Sequence, residues 1–161
     1  MRILHRFLAL GVLGAAFIMS SCILNSVQCE YDGSSMEGTW GIVSINGQPI
    51  PAAGYQLPTS TDRLTVGRLI FKRTSVECPG DGYDSESGTV VADYTLVTAA
   101  GAAKPSQTYA GSFSHGYHAR RFSITANGRV SQGSNEPATE LTSFGDLPNL
   151  GNLTVVFRRT Q

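Results

Sequence analysis

Two clusters of side chains in this sequence have types that could do chemistry. His115-Gly116-Tyr117-His118 sets two imidazoles at H-x-x-H spacing. On a strand they would face opposite sides, although Gly116 could turn the chain and bring them together. A metal site needs three or four ligands, and no acidic residue adjoins the pair. Two polar residues at a hairpin end is therefore the better reading, with no metal expected. Asp81-Gly82-Tyr83-Asp84-Ser85-Glu86 gathers three carboxylates in a Gly-containing loop. It lacks the ligand spacing of a calcium loop and reads as a solvated turn. No nucleophile elbow and no phosphate loop is present, and no Ser–His–carboxylate order can be argued. The expectation is no enzyme and no cofactor. The cysteines Cys29 and Cys78 are spaced wrongly for a C-x-x-C redox pair or a zinc site.

The first 21 residues read as an address. Arg2 and Arg6 precede thirteen residues without charge, Phe7 to Met19. That length suits the apolar region of a signal peptide. As a helix it would span about 20 Å, short of the roughly 30 Å hydrocarbon core of a bilayer. The run ends in Met19-Ser20-Ser21-Cys22, which resembles the bacterial lipobox: a large apolar residue, two small ones, then cysteine. The resemblance implies cleavage before Cys22 and lipidation of its thiol, with ordinary secretion as the alternative. Ile23 in place of Asp resembles outer-membrane sorting in a Gram-negative cell. The localisation expected is the bacterial cell envelope, lipid-anchored, the alternative being secreted or periplasmic.

With Cys22 acylated, Cys29 and Cys78 are left as a pair, and two thiols outside the cytoplasm tend to oxidise. A Cys29–Cys78 disulfide is the expectation. Without residues 1–21 the chain has ten basic and twelve acidic residues, a net charge of −2. That balance argues against a nucleic-acid partner, which needs a basic footprint. The organisation expected is a signal peptide at 1–21, a lipid-anchored tether at 22–37 and one domain at 38–161.

The elements that must position these residues are strands. Apolar residues alternate with Ser, Thr and charged residues at period two. Val90, Ala92, Tyr94 and Leu96 share one face, as do Tyr109 and Phe113, Phe122 and Ile124, and Leu153, Val155 and Phe157. Asn46-Gly47 and Asn127-Gly128 suit tight hairpin turns. The pattern predicts strands at 39–46, 63–66, 68–78, 88–98, 107–115, 119–126, 138–143 and 152–159, with Gly67 a turn or bulge. The fold class is all-β: an antiparallel up-and-down meander of about eight strands. Such a meander avoids exposed edges most readily by closing into a barrel.

The two ends of the domain carry a family resemblance. Gly38-Thr39-Trp40 leads to the turn Asn46-Gly47-Gln48-Pro49-Ile50-Pro51, and the last strand reads Gly151-Asn152-Leu153-Thr154-Val155-Val156-Phe157-Arg158-Arg159. This looks like the lipocalin-like domain of small bacterial lipoproteins. The resemblance implies a barrel whose closed end is plugged by Trp40 with Arg159 over the ring, Arg158 facing solvent. The META-type lipoprotein domain ranks second, because its glycine–cysteine–asparagine signature is absent.

Phe71, Tyr94, Tyr109, Phe113 and Phe122 fall on inward faces. They could line a ligand cavity or fill the interior, since an eight-stranded barrel is just wide enough for either. Two functions follow. One is a lipid-anchored module of the cell envelope that binds a small apolar ligand. The other is a filled barrel that presents residues 51–61, 79–88 and 143–152 to an envelope protein, as a structural or inhibitor-like partner.

Overall fold

A computed structural model describes residues 35–58, 60–78, 84–147 and 151–160. Residues 1–21, the expected signal peptide, lie outside them, as do Cys22, Cys29 and most of the expected tether. The described chain is all-β, with strands β1 (Gly38–Ile45), β2 (Gln48–Pro49), β3 (Tyr55–Gln56), β4 (Arg63–Glu77), β5 (Ser85–Val97), β6 (Gln107–Gly116), β7 (Arg121–Ala126), β8 (Arg129–Ser134), β9 (Glu140–Leu147) and β10 (Gly151–Arg159). Strands β4 to β10 pair each with the next, all antiparallel. β1 pairs with β10 on one side and β4 on the other, so eight strands close on themselves. The two-residue β2 and β3 are flaps on β1 and β4. Closure leaves no long edge to template a foreign strand.

Alternation decides which side chains enter the barrel. Val90, Ala92, Tyr94 and Leu96 of β5 point in, as do Phe122 and Ile124 of β7 and Val155 and Phe157 of β10. They join Trp40, Leu64, Leu69, Phe71, Phe113 and Leu141 in one core. Asn46 and Gly47 take positive φ (49° and 75°), and so do Asn127 and Gly128 (51° and 70°). Two consecutive left-handed residues make the turn that matches strand twist, which is why an Asn-Gly pair sits at each of these two hairpins, β1–β2 and β7–β8.

The strand count of eight agrees with the sequence reading, but two of its strands differ. The expected strands 63–66 and 68–78 are one continuous strand, β4. A register shift between Leu64 and Val66 inserts one extra residue. Leu64 points inward before the bulge, and Leu69 and Phe71 point inward after it, so the apolar period changes parity within an unbroken strand. The strand at 129–134 was not foreseen. In β8 the only large apolar residue, Val130, faces outward, while Ser131 and Gly133 face in. An apolar period has nothing to register there, although the Asn127-Gly128 turn implied a returning strand.

Candidate functional site

The Trp40 end of the barrel gathers the N-terminal side of β1, the C-terminal ends of β4, β6, β8 and β10, and the start of β5. Trp40 is fully buried. Its indole N–H donates to the Met36 carbonyl at 2.8 Å. The Arg159 guanidinium stands 4.7 Å from the indole centroid and donates to the Ser35 carbonyl. Trp40 and Arg159 are also direct partners across β1 and β10. A cation over an indole face is attracted by the ring quadrupole. Arg158, on the opposite face, pairs with Glu140 at 2.6 Å.

Beside the tryptophan lies a buried polar cluster that the sequence reading missed. Glu86 is 1% exposed. Its carboxylate accepts from the Met36 amide at 2.5 Å, Ser35 Oγ at 2.8 Å, Tyr117 OH at 2.9 Å and His115 Nδ1 at 3.1 Å. Arg73 approaches it at 4.0 Å. Burial alone would raise the Glu86 pKa, but the hydrogen bonds from His115, Met36, Ser35 and Tyr117 outweigh it and hold the carboxyl at about 2. Glu86 is thus ionised near neutrality and only accepts, so His115 Nδ1 carries a proton. The other ring nitrogen, Nε2, is buried without a hydrogen-bond partner.

One signal could have placed this cluster. The even-numbered face of β5, read back from Val90 through Gly88, reaches Glu86. The odd-numbered face of β6 runs on from Phe113 to His115. Glu86 and His115 are cross-strand partners. The expected solvated turn at 81–86 therefore loses Glu86 to the interior. The H-x-x-H pair is not brought together: His115 is buried and His118 is exposed. No metal-holding group of three or more His, Cys, Asp or Glu occurs among the described residues.

Four of the five aromatics assigned to the interior are buried: Tyr94 at 0%, Phe71 at 2%, and Phe113 and Phe122 at 3% exposed. Tyr109 is half-buried at the far end. Phe71 and Phe113 meet edge to face at 5.0 Å, and Tyr94 and Tyr109 are tilted at 6.1 Å. The larger rings lie over glycines of the neighbouring strand. Gly88 is the partner of Phe113, and Gly133 the partner of Phe122. A Cβ on Gly88 would stand 2.8 Å from Phe113 and one on Gly133 2.5 Å from Phe122. The Tyr94 hydroxyl is buried and unpartnered, and burial, with Tyr109 nearby, raises its pKa.

The outer wall has its own relief. A groove of about 620 Å³ crosses β6 to β9, lined by Ser114, Arg121, Ser123, Val130, Gln132 and Phe144 among others. Val130 and Phe144 are each 53% exposed. Of the segments expected to face a partner, the described residues 84–88 lie at the Trp40 end, whereas 51–58, 60–61 and the paired ends of β9 and β10 at Leu147 and Gly151 lie at the other. Parts of them are strand: 85–88 belong to β5 and 143–147 to β9. Cys78 directly follows β4, also at the Trp40 end.

Comparison with known proteins finds no matching family model, no matching curated protein and no matching solved structure.

Proposed function

We propose that this chain is an exported, lipid-anchored envelope protein of lipocalin-like build whose barrel is filled and which acts through its surface. The observation that carries this reading is the burial of Phe71, Tyr94, Phe113 and Phe122. A hollow barrel wide enough to admit water would leave rings on its wall measurably exposed. These rings instead press on one another and on glycines of adjacent strands, as in a packed protein interior.

The address rests on Arg2, Arg6, the apolar run Phe7 to Met19 and the lipobox-like Met19-Ser20-Ser21-Cys22. Lipidation at Cys22 and a Cys29–Cys78 disulfide belong to the same proposal. The chain enters the barrel at the Trp40 end, so a membrane anchor at Cys22 would tether that end. A disulfide from Cys29 to Cys78 would fasten the tether beside it.

A second reading, a binding module for a small and mainly apolar ligand, draws support from Tyr94. Its hydroxyl is a buried donor without a partner in an apolar interior. Buried polar groups are nearly always paired, so this one has room in its chemistry for a ligand oxygen or a water.

Native mass spectrometry of the chain purified from an exporting host separates the two. A clean apo mass is expected. A discrete bound mass of a few hundred daltons, lost on denaturation, would overturn the filled barrel and establish the binding module. The same preparation, labelled with radioactive palmitate in cells, tests the lipid: a Cys22→Ser chain that still labels would refute lipidation at Cys22.

A further inference from the structure

We infer that the groove on the outside of β6 to β9 is a carbohydrate-binding site for an oligosaccharide that carries a carboxylate. The inference rests on the proposal that the barrel acts through its surface.

The outer wall of a small barrel is normally convex, and a groove of this size there is a departure from it. Ser114, Ser123, Gln132 and Phe144 are successive register partners on β6, β7, β8 and β9. They form one row perpendicular to the strands. At about 4.8 Å per strand the row is roughly 15 Å long. Its spacing is close to the repeat of an extended pyranose chain, so adjacent sugar rings would meet adjacent side chains.

The chemistry of the row matches that of sugars. Ser114, Ser123 and Gln132 offer neutral donors and acceptors. None of them has a side-chain partner among the described residues. Phe144, half exposed at the end of the row, gives a flat ring for the apolar C–H face of a pyranose. A neutral hydroxyl array bounded by an aromatic plate suits a ligand that is polar at its edges and apolar on its faces.

Charge complementarity decides between a neutral and an acidic sugar. Arg121 projects from β7 two residues before Ser123, on the same outward face. Among the described residues, every other arginine near the Trp40 end is engaged: Arg120 with Glu136, Arg158 with Glu140, Arg73 with Glu37 and Arg159 on Trp40. Arg121 faces the groove with no carboxylate partner among the described residues. A guanidinium binds a carboxylate through two parallel hydrogen bonds, which adds direction as well as attraction.

The test is calorimetric titration of the full chain in detergent with a uronic-acid tetrasaccharide and with a neutral glucose tetrasaccharide. The acidic sugar is expected to bind more tightly. Phe144→Ala should weaken both about tenfold, equivalent to about 1.4 kcal/mol. Arg121→Gln should bring the acidic sugar down to the affinity of the neutral one. Ile70→Ser, on the outer wall of β4, should change neither. All three side chains are exposed, so the variants should keep the melting temperature of the parent. Gln132→Ala serves as an independent probe of the row.

Failure of both sugars to bind the parent chain would overturn the inference. So would binding that survives Phe144→Ala, Gln132→Ala and Arg121→Gln. Equal affinity for both sugars would overturn the acidic assignment. An interior ligand found by mass spectrometry would defeat the filled-barrel reading without touching these outer-wall variants, so the two failures are distinguishable.

Discussion

The guanidinium of Arg159 lies 4.7 Å from the centre of the Trp40 indole, and the same two residues are register partners at the seam between the first and last strands. One contact therefore joins the first and last strands at one end of the barrel. Trp40→Ala should cost roughly 3–5 kcal/mol in urea unfolding, as a buried large-to-small change. Arg159→Ala should cost about 1 kcal/mol, the scale of a cation–π contact at a site open to water. A loss below about 1 kcal/mol for Trp40→Ala would mean that the tryptophan does not hold that end of the barrel.

Glu86 makes stability depend on pH in a defined direction. Its carboxyl is held at about 2 in the folded chain, below the ordinary 4.5. A depressed folded pKa gives stability that is fully present above about 4.5 and lost as the pH falls toward 2. The unfolding free energy should drop by up to about 1.4 kcal/mol per pH unit across that window from this group. Glu86→Gln should flatten the slope there. An unchanged slope between parent and variant would refute the role assigned to Glu86.

The same cluster should hold the entering chain. Ser35 and Met36 both donate to Glu86, so the variant Glu86→Ala removes two contacts of the N-terminal approach as well as the partner of His115. Amide exchange at Met36 should accelerate in that variant. Exchange at Ile124, in the middle of β7, should keep its rank among the slow amides. Exchange unchanged at Met36 would show that the approach is held by Trp40 and Arg159 alone.

Gly133 is expected to resist substitution. A Cβ there would stand 2.1 Å from the Thr142 carbonyl and 2.5 Å from Phe122. Neither the backbone nor a buried ring can yield that distance cheaply. Gly133→Ala should destabilise by about 1–3 kcal/mol, the usual range for overpacking. Gly128→Ala, which meets no atom within 4 Å, should lose stability only through its positive φ of 70°. Equal stability of Gly133→Ala and the parent would mean that Phe122 does not lie over β8.

The proposed disulfide has a direct readout. The exported chain, denatured without reductant, should be lighter by two hydrogens than its reduced form and should offer no thiol at Cys29 or Cys78. The loop closed by that bond holds about 50 residues, which the entropy argument equates to roughly 4 kcal/mol. Two thiols titrating in the non-reduced chain would exclude the bond.

Much of this architecture is legible in the sequence because strand alternation and turn chemistry are local. The apolar faces of β5, β6, β7 and β10 each follow from residues two apart, and the two Asn-Gly turns follow from the need for positive φ at consecutive positions. The Trp40–Arg159 contact was implied only by the resemblance of the two ends to a lipocalin-like domain, alternation adding the choice of Arg159, on the face of Val155 and Phe157, over Arg158. What tertiary structure alone decided is where that local logic breaks. The bulge between Leu64 and Val66 shifts the parity of β4, and a bulge is a property of two paired strands rather than one. β8 is a strand because β7 and β9 supply its hydrogen bonds, while its small inward residues make room for Phe122. Glu86 is buried because His115, Tyr117, Ser35 and Met36 converge on it from distant parts of the chain. A carboxylate can leave water only when such partners are in place, and only the folded barrel brings them there.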